Sequence, residues 1–407
     1  MLPNATPYTY SATICTIEYV WYNKWYKYIV IKRRFWLEKI SDSWKRKSVI
    51  WLSGIRRAGK TFLCRSIENT EFFDCEIQKT RRELEDAEAF LKSLGKNKTI
   101  VLDEVHRLNN PSEILKIAAD YFPHIKVIAT GSSSLSASRK FRDTLTDRKT
   151  NLWLTPMTSE DLFDFKNEKV EHRFLFGGLP PFFLSKDIPE RSFQDWMDSY
   201  WAKDIQELFR LMNRASFQKF LELLFTQSGG IFEATRFTKP CEVSRTAINN
   251  YLKALEETYV AHIIKPFSTY KPTEIISAPK VYGFDTGFIS YHKGWEKLRS
   301  EDMGFLWEHF VLNEIFAHRQ SRKILYWRDK RGHEVDFIIQ NRGKEPIAIE
   351  CKWKSDHFNS SGIEAFRRQY LKGKNFVVAQ DVNRQLKKTF GEIEVTFISL
   401  RDLIDEL

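Results

Sequence analysis

The stretch Gly54-Ile55-Arg56-Arg57-Ala58-Gly59-Lys60-Thr61 decides the fold, because it follows the apolar run Val49–Leu52 and opens a segment of helical character. Loops that wrap their backbone around a triphosphate follow a strand and contain glycines. They end in a lysine and a hydroxyl residue at the start of a helix. Lys60 is expected to reach the β and γ oxygens, and Thr61 to contact Mg²⁺. Backbone N–H groups from Phe62 onward attract anions. The stretch therefore predicts a phosphate-binding loop, with a chance match as the alternative.

A second apolar run, Thr99–Leu102, ends in the two carboxylates Asp103 and Glu104. A central strand of a parallel sheet is buried on both faces, and its carboxyl end faces the ligand crevice. We expect Asp103 to bind Mg²⁺ through water and Glu104 to orient or deprotonate the attacking water. Two solvated acids after a buried strand are the alternative, which the pairing with Lys60 and Thr61 weakens.

A third strand, Ile125–Ala129, ends in the hydroxyl residues Thr130 and Ser132. Either hydroxyl could contact the γ-phosphate or the attacking water, although an ordinary serine-rich turn gives the same pattern. Arg148 is our choice for the positive charge that stabilises a phosphoryl transition state. A solvated surface arginine is the alternative for that position.

Length and composition narrow the class of protein. A chain of 407 residues exceeds what one core usually organises, so two or three domains are expected. Lysine and arginine exceed aspartate and glutamate by 64 − 53 = 11. That excess favours a polyanionic partner, with nucleic acid ahead of a membrane surface, while a merely solvated surface stays open.

Cysteine usage and hydropathy indicate the compartment. The five cysteines are odd in number and lack metal-ligand spacing, which predicts free thiols in a reducing, cytoplasmic environment. No run of eighteen apolar residues exists, so a membrane span is not expected. Residues 1–30 lack the pattern of a secretory signal, and we assign them no function.

The middle of the chain contains a candidate recognition helix. Ser244 precedes a segment in which apolar residues lie on one helical face and Arg245, Asn249 and Lys253 on the other. This helix, with the apolar run Tyr259–Ile264 after it as a wing strand, is typical of a winged helix-turn-helix, which presents polar residues to a DNA major groove. The alternatives are an amphipathic helix in an ATPase lid and a winged helix that docks a protein.

Several motifs together resemble a known family. They are the phosphate loop with its double arginine, the Asp103-Glu104 strand, Gly177-Gly178-Leu179-Pro180, and Val281–Gly287. In this order they are similar to the prokaryotic AAA-type (AAA+) P-loop ATPases that carry a carboxyl-terminal domain of unknown function, over roughly residues 30–375. The resemblance implies ATP and Mg²⁺ as ligands, with hydrolysis of ATP. Gly283 departs from the apolar residue usual there, which predicts a bulge in that strand.

The same family commonly ends in a restriction-endonuclease-like fold, and the residues can be tested against it. Glu350 and Lys352 are two apart in one predicted strand and therefore share a face, and Asp336 lies in the strand before it. Two acids and a lysine in this arrangement bind Mg²⁺ and activate water for phosphodiester hydrolysis. Glu308 resembles the extra acid supplied by the first helix, and Gln369 and Tyr370 are candidates for support. A structural ion network on an inactive fold is the alternative.

The expected architecture is therefore α/β. A parallel P-loop sheet with helices on both faces is followed by a helical and winged-helix region and by an α/β restriction-endonuclease-like domain. The expected boundaries are an extension at 1–30, the ATPase domain at 31–170, the helical and winged-helix region at 171–267, and the nuclease-like domain at 268–407. The leading hypothesis is an ATPase coupled to a DNA-facing module. The alternative is a nucleotide-dependent switch that binds a protein partner, and a homo-oligomer follows if an arginine acts on a neighbour's nucleotide.

Overall fold

The computed structural model describes residues 18–22, 26–131, 145–206, 209, 211, 213–269 and 278–407, with the backbone alone for 18–22 and 26–30. Strands β1 (Glu18–Tyr22) and β2 (Tyr26–Val30) pair in an antiparallel, two-stranded sheet within the predicted amino-terminal extension.

Five parallel strands form the first large sheet, in the spatial order β4-β5-β6-β3-β7. They are β3 (Val49–Gly54), β4 (Thr70–Asp74), β5 (Thr99–Asp103), β6 (Lys126–Thr130) and β7 (Lys149–Leu154). Parallel strands end at a common edge, so Gly54, Asp103 and Thr130 meet there. Because β6 lies between β3 and β5, Thr130 lies between the phosphate loop and Asp103.

Helices cover both faces of this sheet, as predicted. They are α1 (Arg34–Trp44), α2 (Lys60–Arg65), α3 (Gln78–Glu83), α4 (Ala87–Ser93) and α5 (Pro111–Tyr121). Ile50 and Leu52 pack in one buried cluster with Trp36 of α1. Val49 and Trp51, which point the other way, pack in a second cluster that includes residues of α5. Burial on both faces explains why these strands are continuously apolar.

A helical region follows the sheet and begins at a capping box. Thr158 accepts from the backbone N–H of Asp161, whose side chain in turn accepts from the Thr158 N–H, so this capping box fixes the helix start. The segments are α6 (Ser159–Asp164), α7 (Val170–Phe176), α8 (Pro180–Phe183), α9 (Glu190–Tyr200), a π-helical turn (Trp201–Gln206), α10 (Arg214–Thr226), α11 (Ala234–Cys241) and α12 (Arg245–Glu257).

A second, mixed sheet has nine strands in the order β15-β16-β14-β13-β12-β11-β9-β10-β8. Its strands are β8 (Gly230–Ile231), β9 (Ala261–Pro266), β10 (Lys280–Gly283), β11 (Leu325–Arg328), β12 (Glu334–Ile339), β13 (Ile347–Lys352), β14 (Asn375–Ala379), β15 (Leu386–Phe390) and β16 (Ile393–Ile398). Helices α13 (Thr286–His292), α14 (Ser300–Arg319), α15 (Ser361–Gln369) and α16 (Leu400–Glu406) accompany it. Because β9 pairs with β11, the sheet continues across the expected boundary at 267/268.

The predicted bulge at Gly283 is wrong. Strand β10 pairs with β9 in an unbroken antiparallel register from Lys280 opposite Ile264 to Gly283 opposite Ala261. A Cβ at Gly283 would lie 2.7 Å from the Phe225 ring. The glycine is therefore explained by the close approach of an aromatic side chain.

Cys64, Cys75, Cys241 and Cys351 are buried free thiols. In the described part of the chain, no helix combines the length and the apolar character needed to cross a membrane.

Candidate functional site

The predicted phosphate loop, residues 54–61, joins β3 to α2 at the carboxyl edge of the first sheet. Gly54 has a φ of 143°, and a Cβ there would lie 2.5 Å from the carbonyl oxygen of Leu154. Gly59 has a φ of 96° and lies immediately before α2. Gly54 is therefore required both by its backbone conformation and by the close approach of the Leu154 carbonyl. Gly59 is required by its backbone conformation.

Lys60 is folded back over the loop. Its Nζ donates to the carbonyl oxygens of Gly54 at 2.9 Å and Ile55 at 3.2 Å. Burial lowers the pKa of Lys60, and the charge of Glu104 opposes that shift. The ammonium group thus lies at the mouth of the loop, where the phosphates of a nucleotide would be expected.

A buried ion pair that the motif did not predict anchors the other side of the loop. Arg33 donates to the carbonyl oxygen of Ala58 at 2.9 Å and to both carboxylate oxygens of Asp161 at 2.7 and 2.6 Å. This arginine–carboxylate fork ties the loop to the start of α6.

Asp103 is held by hydroxyl groups from two neighbouring segments. Thr61 Oγ1 donates to Asp103 Oδ2 at 3.0 Å, and Thr130 Oγ1 donates to Asp103 Oδ1. Burial raises the pKa of Asp103, although these two hydrogen bonds act against the shift. The structure thus brings together the three predicted residues Thr61, Asp103 and Thr130.

Glu104 directly follows β5 in a left-handed conformation, with a φ of 54°. Its N–H donates to Thr130 Oγ1 at 3.1 Å, and its Oε2 lies 3.1 Å from His106 Nδ1. Burial alone would raise the pKa of Glu104, but the hydrogen bond with His106 and the charge of Lys60 outweigh burial and lower it. Glu104 is therefore an ionised carboxylate next to Asp103. His106 was not predicted as a site residue, although its position two residues after Glu104 in the sequence places it close to the site.

Lys60, Thr61 and Glu104 line a cleft of about 480 Å³. Phe62, which is 60% exposed, lines it together with Phe165, Pro180 and Leu184, so part of the wall is apolar. The opposite wall includes Asp204 from the π-helical turn, whose Oδ2 lies 2.7 Å from Arg56 Nε. Nothing in the local sequence around Asp204 indicates this position.

One predicted residue that the structure describes, Arg148, does not join the cleft. Arg148 precedes β7, at the amino edge of the sheet, and donates to Asp120 at 2.8 Å. A six-residue strand separates that edge from the phosphate loop by about 17 Å. The prediction that Arg148 acts at this chain's own nucleotide site is therefore wrong. Ser132 lies outside the described residues.

The polar face predicted for the candidate recognition helix is present on α12. Arg245, Asn249 and Lys253 are exposed, while Ile248 and Leu252 are buried on the other side. Ser244 caps the helix by accepting from Ala247 N at 3.2 Å. Strands β9 and β10 follow as an antiparallel pair.

The carboxyl-terminal residues Asp336, Glu350 and Lys352 are gathered on β12 and β13. Lys352 Nζ donates to Glu350 Oε1 at 2.7 Å, and Asp336 Oδ2 accepts from Cys351 N at 2.8 Å. Glu350 Oε2 is buried without a hydrogen-bond partner. Burial and the charge of Asp336 raise the pKa of Glu350 to about 8.

Glu308 joins this cluster from α14, as the resemblance implied. Its Oε1 accepts from Tyr282 OH at 2.5 Å, and Lys280 pairs with Glu334 close by. Burial and the charge of Asp336 raise the pKa of Glu308 to about 7. Lys280 and Tyr282 were not predicted, since they lie on β10, far from Asp336 in sequence.

Two carboxylates of the cluster, Glu308 and Asp336, border a cavity, but among the described residues the cluster does not bring three ligand atoms close together. Glu308, Asp336 and Lys352 line a cavity of about 670 Å³. Within the described ranges, the triad with mutually close ligand atoms is elsewhere, at Glu160, Glu314 and His318. Tyr370 packs on Phe267 and Phe366, and Gln369 is exposed, so the support suggested for the cluster from these two residues is not seen.

The segment that forms the first sheet matches a known protein family. Residues 46–163 match the family model described as an AAA domain, which together with the loop geometry identifies an AAA-type P-loop ATPase domain. Residues 167–299 and 303–400 match two models described as domains of unknown function, DUF8612 and DUF4143.

Proteins that are similar over a large part of the chain have low sequence identity to it. Uncharacterized protein Rv2008c of Mycobacterium tuberculosis and uncharacterized protein Mb2031c of Mycobacterium bovis are each 25% identical over 339 residues, covering 80% of this chain and 74% of theirs. The Walker-type ATPase PABY2304 of Pyrococcus abyssi is 14% identical, covering 65% of this chain and 96% of that one, with a TM-score of 0.42. A RuvB variant of Thermotoga maritima is 16% identical, covering 59% and 92%, with a TM-score of 0.29.

Proposed function

We propose that the protein is a Mg²⁺-dependent ATPase. The observation that carries this proposal is the 3.0 Å contact between Thr61 Oγ1 and Asp103 Oδ2 beside the phosphate loop. Hydroxyl and carboxylate oxygens are the hard ligands that suit Mg²⁺, so the residues present fit that ion. Mg²⁺ held there would neutralise charge on the β and γ phosphates. Lys60 and the loop N–H groups bind the phosphates, and Glu104 orients and deprotonates the attacking water.

Replacing Lys60 tests nucleotide binding. Lys60→Ala should weaken the affinity for MgATP by about 10- to 150-fold, because a hydrogen bond to a charged group contributes about 1.5–3 kcal/mol. Isothermal titration calorimetry on the full chain measures the change. Lys45→Ala is a matched control, since Lys45 is exposed on the end of α1 and pairs with Asp42. Equal affinity in the parent and Lys60→Ala would contradict the assignment.

A second candidate function is cleavage of DNA by the carboxyl-terminal cluster, coupled to the nucleotide state. The observation that favours it is Glu350 Oε2, a buried carboxylate oxygen without a hydrogen-bond partner, next to the charged Asp336 and Lys352. A divalent cation bound to these carboxylates would supply the partner that this oxygen lacks. Lys352 would then orient the water that attacks the phosphodiester.

Replacing Asp336 tests this candidate. Asp336→Asn should reduce Mg²⁺- or Mn²⁺-dependent cleavage by about 100-fold or more, because a catalytic metal contributes several kcal/mol. Cleavage of linear, branched and single-stranded DNA is followed on gels. Asp356→Asn, an exposed acid after β13, is the matched control. If the parent and Asp336→Asn cut DNA equally, the cluster is not a nuclease site.

The partner of the carboxyl-terminal half is a separate question. The exposed face of Arg245, Asn249 and Lys253 supports binding of DNA, whereas a protein partner without DNA chemistry is the alternative function. Contacts to phosphates release counterions, so affinity for DNA should fall steeply as salt rises. A flat salt response would favour the protein partner. Arg148 contributes to catalysis only if a second copy presents it to this chain's nucleotide.

A further inference from the structure

A carboxylate from outside the ATPase sheet faces the phosphate loop. Asp204 lies on the π-helical turn that continues α9, and its Oδ2 accepts from Arg56 Nε at 2.7 Å. Asp204 is 15% exposed and lines the same cleft as Lys60 and Glu104. π-helical turns are rare and are frequent at functional sites. About two turns earlier, Trp196 Nε1 donates to the carbonyl oxygen of Arg56 at 3.2 Å, so segment 196–206 holds both the backbone and the side chain of Arg56.

Two of the three basic side chains of the loop, Arg56 and Lys60, are bound to oxygens of the protein. Arg56 pairs with Asp204, and Lys60 donates to the loop carbonyls. Nucleotide phosphates need the same donors, and they carry the same sign of charge as Asp204. Like charges in a partly buried cleft repel each other more strongly than in water, so the nucleotide and the Asp204 carboxylate favour two different arrangements of this segment.

We propose that Asp204 is a positioning residue that competes with the nucleotide phosphates for Arg56. Binding of nucleotide transfers Arg56 from the Asp204 carboxylate to the phosphates and loosens segment 196–206 from the loop. Tyr200 OH, in the same segment, is hydrogen-bonded to Thr258 Oγ1 at the end of α12. The released segment thus connects the nucleotide cleft to the candidate recognition helix. The proposal rests on the proposed nucleotide-binding function.

The test combines affinity with hydrogen exchange on the full chain. Affinities for the Mg²⁺ complexes of ADP and of a non-hydrolysable ATP analogue are measured for the parent and for Asp204→Asn. Amide exchange is followed in peptides that cover residues 196–206, with and without the analogue. Asp195→Asn, an exposed acid on α9, is the matched control. Arg56→Gln removes the other partner of the ion pair. In this variant, amide exchange of residues 196–206 is measured without nucleotide.

Competition predicts that Asp204→Asn binds the ATP analogue about fivefold or more tightly than the parent, the scale of a typical coupling between sites. The analogue should speed exchange in 196–206 of the parent. In Asp204→Asn and Arg56→Gln, exchange should already be fast without it. A merely structural role for Asp204 would leave the affinity unchanged or lower it, and that result overturns the inference. If Asp204→Asn does not fold, Asp204→Ala is read by the same two measurements.

The two proposals fail in different ways. If the parent binds nucleotide and Asp204→Asn binds it no more tightly, Asp204 is not a competitor and the ATPase proposal stands. If neither protein binds nucleotide, the ATPase proposal is wrong, and the competition falls with it.

Discussion

Glu104→Gln should lower the rate of ATP hydrolysis by about 10²- to 10⁴-fold while leaving the affinity for MgATP close to that of the parent. The amide has the shape of the carboxylate but cannot accept the proton of the attacking water. Two features fix the position of this side chain: the left-handed conformation at residue 104 and the hydrogen bond from its N–H to Thr130. Because the pKa of Glu104 lies below its ordinary value, the base is ionised throughout the neutral range.

Single-turnover release of phosphate gives the rate, and calorimetry gives the affinity. Glu113→Gln is a matched control, since Glu113 is an exposed acid in the first turn of α5. Hydrolysis at the parental rate would show that Glu104 is not the base. Loss of affinity together with rate would instead show that Glu104 helps to hold the metal, because ground-state binding and catalysis would then fall together.

The parts of the site that the sequence predicts are those whose cause is local. Residues 99–102 are apolar because β5 is buried on both faces, and Asp103 and Glu104 follow because that strand ends at the ligand edge. Gly54 and Gly59 are spaced as they are because the loop turns through conformations that other residues avoid. Each of these constraints acts within a few residues of the chain.

The parts that the sequence does not predict depend on contacts between distant segments. Arg56 and Asp204 are 148 residues apart, and Arg33 and Asp161 are 128 apart, so no local pattern relates either pair. The prediction for Arg148 is wrong for another reason. Arg148 was chosen because an arginine can stabilise charge on a nucleotide. However, it precedes a parallel strand and therefore lies at the edge of the sheet opposite the phosphates.

The carboxyl-terminal cluster shows the same division. Alternation along β13 correctly predicts that Glu350 and Lys352 share a face, because side chains in a strand alternate with a period of two. Lys280 and Tyr282 reach Glu334 and Glu308 from β10, which is separated from β12 by two strands in the sheet and by about fifty residues in sequence, so no local pattern predicts these contacts.

Arg173→Met should lower the free energy of unfolding by about 3–5 kcal/mol, the usual effect of removing one partner of a buried ion pair. Arg173 is 1% exposed, and its guanidinium lies 3.0 Å from the carboxylate of Asp285, which is fully buried. It also donates to Thr286 Oγ1 at 2.8 Å and to the carbonyl oxygen of Met157 at 3.1 Å. Without the arginine, the Asp285 charge would remain in a site that water cannot reach.

The same pair links the nucleotide cleft to the second sheet, so the substitution should affect more than stability. Asp285 Oδ2 accepts from Gly178 N at 2.7 Å, two residues before Pro180, which lines the cleft. We therefore expect weaker nucleotide binding by Arg173→Met even where the protein is folded, because the segment that carries Pro180 loses its anchor.

Urea unfolding of Arg173→Met, Asp285→Asn and the double variant separates the ion pair from its surroundings. The double variant should lose less stability than the sum of the single losses, because neither charge is then left buried alone. Arg148→Met is the matched control, since its pair with Asp120 is about one-third exposed and such pairs contribute about 0–1 kcal/mol. Losses at Arg173 and Arg148 of equal size would show that burial does not govern the stability of the Arg173–Asp285 pair. Additive losses in the double variant would show that the two side chains stabilise the fold through separate contacts.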